Sequence, residues 1–130
     1  MIVAGFDNRL FCGDSDDAEH FAGRRICVLE SMPSVPCLWV PLLQLAKDSS
    51  VVVRPNQLAL IVGVVSSGLE QSGRVLVFCA AGLERSPLVV AWWLHKTRAM
   101  KMADAYAILQ SLNPKIRNCE QWISRRSDDN

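Results

Sequence analysis

Cys79 and Arg85 stand six positions apart in the segment RVLVFCAAGLERSPLVVAWWL. The cysteine closes an apolar run with the composition of a buried strand. A helix is expected directly after the arginine, with Pro87 in its first turn. A loop entering a helix N-terminus turns several backbone N–H groups into one concavity, and the helix dipole adds partial positive charge there. Gly82 permits backbone angles in that loop that other residues resist. A doubly charged phosphate fits such a nest, and Arg85 can grip two of its oxygens at once. The same field favours thiolate over thiol at Cys79, and the thiolate is the reactive form. Sulfur nucleophile chemistry on a bound phosphate is the reading these residues support.

A bare Cys-x5-Arg is weak evidence. Ten arginines and five cysteines in 130 residues should produce about 0.4 such matches by chance. The chain contains its own control, because Cys119 is followed six residues later by Arg125 in CEQWISR. That match has no glycine, follows no strand and lies in an expected helix, so it is read as coincidence. Only Cys79 has the strand, the glycine, the helix start and a hydroxyl, Ser86, directly after the arginine.

The elements that must position this loop follow from patterning. Short strands are expected at residues 2–4 and 10–12 around a turn at Asp7-Asn8. Asp14 or Ser15 should cap a short helix ending near Gly23. Two compact apolar strands follow at 26–29 and 37–40, the second bounded by Pro36 and Pro41. Residues 42–54 read as irregular. Helices are expected from Asn56 to about Gly68, ended by Gly68 and Gly73, from the phosphate loop to about Arg98, at 102–112 and at 119–125. Strands alternating with helices indicate α/β layers with helices on both faces of a sheet.

Composition narrows the function classes. The length suits one domain over 1–130, and half the residues are hydrophobic, enough for a core. A formal net charge of +1 gives no general case for nucleic acid or membranes, so neither is expected as a partner. The odd cysteine count, the absence of Cys-x-x-Cys and the wide separation of His20 and His95 argue against a zinc site. Free thiols fit a reducing compartment. The N-terminus lacks a basic start followed by a long apolar run, and the longest apolar stretch, 58–65, is too short for a membrane span. A cytoplasmic, monomeric protein without a cofactor is expected.

The segment from Arg74 to Ser86 resembles the signature loop of the protein tyrosine and dual-specificity phosphatases, His-Cys-x5-Arg-Ser/Thr. LFCGDSDDAEHF is similar to that family's opening strand and first short helix, and RICVLE and CLWVPL to its next strands. The compact length resembles the dual-specificity branch. The resemblance implies a central, mostly parallel sheet flanked by helices. It also implies a two-step hydrolysis of phosphotyrosine, and in part phosphoserine or phosphothreonine, through a phosphocysteine. The expected substrate is a phosphorylated protein or a small phosphomonoester, with no metal required. Carried over residue by residue, Cys79 is the nucleophile. Ala80, Ala81, Gly82, Leu83, Glu84 and Arg85 form the phosphate-binding loop, and Ser86 assists the departing thiolate. The family's acid lies about thirty residues before its nucleophile, and Asp48 lies 31 residues before Cys79. Asp48 is therefore the expected acid, while Asp14, Asp16 and Asp17 are read as helix caps. Gln121 is a candidate for positioning water.

Two positions depart from the family pattern. Phe78 replaces its histidine, which is expected to remove a loop-ordering hydrogen bond and set apolar surface beside the thiol. Glu84 stands where a small or polar residue is commoner, and its charge should point out of the nest. These departures keep open a pseudophosphatase that binds phosphoproteins without turnover. A rhodanese-like sulfurtransferase fits less well, given Ser86-Pro87 and the Asp48 spacing. Trp39 and at least one of Trp92 and Trp93 are read as core, and Cys27 and Cys37 as inert buried thiols.

Overall fold

The computed structural model describes residues 2–45 and 50–124. Strands β1 (Val3–Phe6) and β2 (Leu10–Gly13) form an antiparallel hairpin. Asp7 and Asn8 turn it at positive φ, a conformation that short polar side chains tolerate. Asp14 caps α1 (Ser15–His20) with a capping box. Its carboxylate accepts from Asp17 N at 2.8 Å, and the Asp17 carboxylate accepts from Asp14 N at 2.9 Å. Then come β3 (Arg24–Cys27), β4 (Leu38–Trp39), β5 (Leu43–Leu45) and β6 (Val51–Val53). Helix α2 (Pro55–Ser72) starts on a proline. It ends where Gly73 takes φ +76 and donates its N–H to Leu69 O, a left-handed cap suited to glycine. The chain continues through β7 (Val75–Phe78), α3 (Arg85–Thr97), α4 (Met102–Leu112) and a 3₁₀ turn at Glu120–Trp122.

The main sheet runs β1-β2-β7-β3-β4, and all its pairings except the first hairpin are parallel. This is the mixed, mostly parallel α/β architecture that the sequence implied. Gly13, Phe78 and Cys27 are in register across the three central strands. The segments after these residues therefore leave the sheet at one carboxyl edge, where open α/β sheets place their ligand sites.

The two faces are unequal. Leu10, Cys12, Ile26, Val75 and Val77 point into a large core with residues of α2, α3 and α4. Phe11, Cys27, Leu76 and Phe78 point the other way, into a smaller cluster with Ala18 of α1 and Phe21. Helices flank both faces, but among the described residues three of the four α-helices lie on one side.

Four local expectations need correction. Residues 42–54 contain a two-stranded antiparallel sheet, with Leu43 opposite Val53. Helix α2 does not end at Gly68, which sits inside it packed closely on Val75 and Arg24, but runs to Ser72 and stops at Gly73, the second of the two expected glycines. The helix expected at 119–125 is a single 3₁₀ turn, and Arg125 lies outside the described residues. Trp39 is not core: it is 41 % exposed at the sheet edge, its indole N–H donating to Leu29 O at 2.8 Å.

Candidate active site

Cys79 directly follows the central strand β7, and α3 begins six residues later at Arg85. Between them the chain reverses in the five-residue loop 80–84. Gly82 is required twice over in that loop. Its φ is +72, and a Cβ there would lie 2.7 Å from Gly13 C and 2.9 Å from Gly13 O. The loop thus rests on the peptide that links β2 to the cap of α1. Ser15 adds support, its N–H donating to Ala80 O and its hydroxyl to Cys79 O, both at 3.4 Å. The first amides of α3, as at any helix N-terminus, have no intrahelical acceptor and face the loop.

The Cys79 side chain is 2 % exposed. Its thiol donates to Ser86 Oγ at 3.4 Å, and the Ser86 hydroxyl donates to Gly13 O at 3.2 Å. Ser86 is fully buried, the one buried polar or charged side chain recorded among the described residues. Burying a hydroxyl without a partner is costly, and both of these contacts relieve it. Glu84 Oε2 pairs with Arg117 Nη1 at 3.3 Å.

Arg85 projects from the first helical position toward the carboxyl edge of β3. Both its Nε and Nη2 donate to Glu30 Oε1, at 3.3 and 2.7 Å. The Glu30 hydrogen bond pushes the guanidinium pKa above its ordinary value, so Arg85 is a permanent cation beside the loop. In the sequence Glu30 is marked only by its position just beyond the apolar run Ile26–Leu29, which becomes informative once β3 is known to neighbour β7.

A family model described as "Dual specificity phosphatase, catalytic domain" matches residues 26–125. The chain belongs to the dual specificity phosphatase family. It is by class a cysteine-dependent protein phosphatase, a hydrolase. Among curated proteins, none matches the chain. Solved structures share the fold of this phosphatase domain at low identity. The structure of DUSP15 is 14 % identical, with TM-score 0.75, over 93 % of this chain and 81 % of that one. Human DUSP28 is 20 % identical, with TM-score 0.66, over 93 % and 86 %. The human tyrosine phosphatase-like serine/threonine/tyrosine-interacting protein is 17 % identical, with TM-score 0.70, over 93 % and 89 %.

The phosphatase domain brings together Cys79, the loop 80–84, Arg85 and Ser86, as the spacing suggested. Asp48 lies outside the described residues. Phe78 differs from expectation. Strand alternation sends its fully buried ring to the α1 face, with Phe11 and Phe21, while Cys79 belongs to the opposite core. Its apolar surface is therefore not beside the thiol. Asp14 and Asp17 serve the cap of α1 as read from sequence. Among the described residues no helix is long and apolar enough to cross a membrane.

Proposed function

We propose that this domain, a single unit over residues 1–130, hydrolyses phosphotyrosine and also phosphoserine or phosphothreonine monoesters through a phosphocysteine on Cys79. The substrate is a phosphorylated protein or a small phosphomonoester, met by a cytoplasmic monomer. In the first step the Cys79 sulfur attacks phosphorus, and the bond to the ester oxygen breaks. Asp48 donates its proton to that leaving oxygen. In the second step the Asp48 carboxylate takes a proton from water, the water oxygen attacks phosphorus, and the thiolate leaves with inorganic phosphate released. The amides of Ala80 to Arg85 and the Arg85 guanidinium hold the equatorial oxygens. The Ser86 hydroxyl, now donating to Gly13 O, turns to the sulfur when the proton is lost, so the thiolate gains a charge-assisted hydrogen bond.

The observation that carries this reading is the Cys79–Ser86 contact at the junction of β7, the loop and α3, with Arg85 opening the helix. The test is hydrolysis of a small aryl phosphate by the purified chain, compared with phosphopeptides. Turnover that disappears in Cys79→Ser supports the reading, and turnover that survives it places the nucleophile elsewhere.

The alternative is a pseudophosphatase that keeps Cys79 and Arg85 and binds phosphoproteins without turnover; in either reading a phosphate must share or displace Glu30, which takes both Arg85 donors described above. A solved relative is itself called tyrosine phosphatase-like and interacting. Tight oxyanion binding by wild-type protein with no turnover of any monoester would select that alternative.

A further inference from the structure

We infer that Arg117 is a positioning residue, whose guanidinium holds the Glu84 carboxylate away from the phosphate nest and cancels its charge there. The inference rests on the reading of loop 80–85 as a phosphate site.

Glu84 is the acidic member of a loop meant for an anion, and it directly precedes Arg85. It occupies the cap position of α3, yet its side chain makes no capping bond. A carboxylate free to rotate there would enter the field of the helix N-terminus, where negative charge is favoured. It would then compete with phosphate for the same amides. Instead Glu84 Oε2 pairs with Arg117 Nη1 at 3.3 Å.

Arg117 is well placed to hold it. Its own N–H donates to Leu83 O at 2.9 Å, so its backbone is attached to the residue beside Glu84. The segment around it is anchored on both sides. Ile116 and Cys119 are buried, Gln110 Nε2 donates to Ile116 O at 3.1 Å, and Cys119 N–H donates to Tyr106 Oη at 3.2 Å. The pair itself is largely solvated, with side chains 73 % and 34 % exposed for Arg117 and Glu84. Exposed ion pairs contribute little to stability. What this pair changes is where a negative charge sits relative to a bound anion.

The test is a double-mutant cycle on tungstate binding, measured by calorimetry on the full chain at low ionic strength. Arg117→Met removes the guanidinium and keeps both the stem and the backbone bond to Leu83. It should weaken tungstate roughly fivefold in the Glu84 background and by less than about twofold in the Glu84→Gln background. Arg117→Lys, which keeps the charge, should stay within about twofold of wild type. Melting temperatures should be unchanged, and the coupling should shrink in 0.5 M salt, where the range of the field is roughly sevenfold shorter than at about 0.01 M. Equal losses in both backgrounds, or a fall in melting temperature that tracks the loss of binding, would show a merely structural role and overturn the inference. Failure of wild-type protein to bind tungstate at all would overturn the phosphate site itself, and this inference with it. Normal wild-type binding with an unchanged Arg117→Met variant would overturn the inference alone.

Discussion

Cys79 and Cys119 are the same residue type at the same depth, each 2 % exposed, and each begins a Cys-x5-Arg match. Their surroundings could hardly differ more. Cys79 leaves the central strand of the sheet, meets a buried hydroxyl and precedes a helix of 13 residues. Cys119 precedes a 3₁₀ turn of three residues, and its backbone N–H is used by Tyr106. Burial pushes the Cys119 thiol up to about 11, and the charge of Glu84 pushes the same way. Depth therefore does not make a cysteine a nucleophile. What the backbone does after it decides how much positive field reaches the sulfur.

The largest expected effect would break this comparison outright if it failed. Cys79→Ser should lower turnover of an aryl phosphate on the order of 10⁴-fold or more, while Cys119→Ser should leave kcat within about twofold and cost roughly 1–2 kcal/mol of stability. Similar kinetic losses in the two variants would mean that the local backbone is not the discriminator. Next is Ser86→Ala. A hydrogen bond to a charged group is worth about 1.5–3 kcal/mol, so kcat should fall roughly 10–100-fold. The loss should lie in breakdown of the phosphocysteine, giving a larger burst relative to the steady rate in rapid-quench measurements. A burst-free slow variant would move the role of Ser86 to the first step.

Stability against pH sharpens the contrast at the next scale. Burial, followed by the charge of Cys79, pushes the Cys12 thiol from 9.0 up to about 12. The native state thus holds protons on Cys12 and Cys119 that the unfolded chain releases at lower pH. Their contribution is complete below about pH 9 and is lost as pH rises toward about 11 for Cys119 and about 12 for Cys12, by about 1.4 kcal/mol per pH unit for each thiol. Thermal melts between pH 8 and 10.5 should show that slope, and Cys12→Val should remove one proton from it. An unchanged slope in the variant would show that Cys12 does not titrate as its burial dictates. Iodoacetamide near pH 7.5 should likewise leave both thiols unlabelled in folded protein.

The smallest catalytic effect is expected at Phe78. Its ring fills the α1-side cluster, away from the sulfur. Phe78→His should therefore cost about 2–4 kcal/mol in denaturant unfolding, from lost packing and a buried polar ring. The kcat for an aryl phosphate should stay within about twofold of wild type. A larger kinetic loss with unchanged stability would bring Phe78 back into the site.

Much of this was legible in the chain itself. The helix 102–112 has the bounds that its periodicity implied, and the Asp7-Asn8 turn, the Asp14 cap, the strand before Cys79 and the glycine in the loop follow from local chemistry. Each depends on neighbours a few residues away. The missed pieces depend on distant ones. The β5–β6 ladder pairs LQL with VVV, two segments of three residues, too short for a period of two to mark either as a strand. Trp39 is exposed because β4 is the sheet edge, and strand order is not written in the two residues of that strand.

The loop after Cys79, its glycine and its arginine were thus determined by sequence alone, because a strand, a turn and a helix start are short-range properties of the backbone. Which charges face them was decided by the tertiary structure. Glu30 reaches Arg85 across 55 residues, and Arg117 reaches Glu84 across 33. Both meetings exist only because the central strands end in register at one edge and the chain after α4 folds back against the loop. A carboxylate or a guanidinium has no sequence signature for its partner, since its field acts through space and is set by the packing of the elements that carry it.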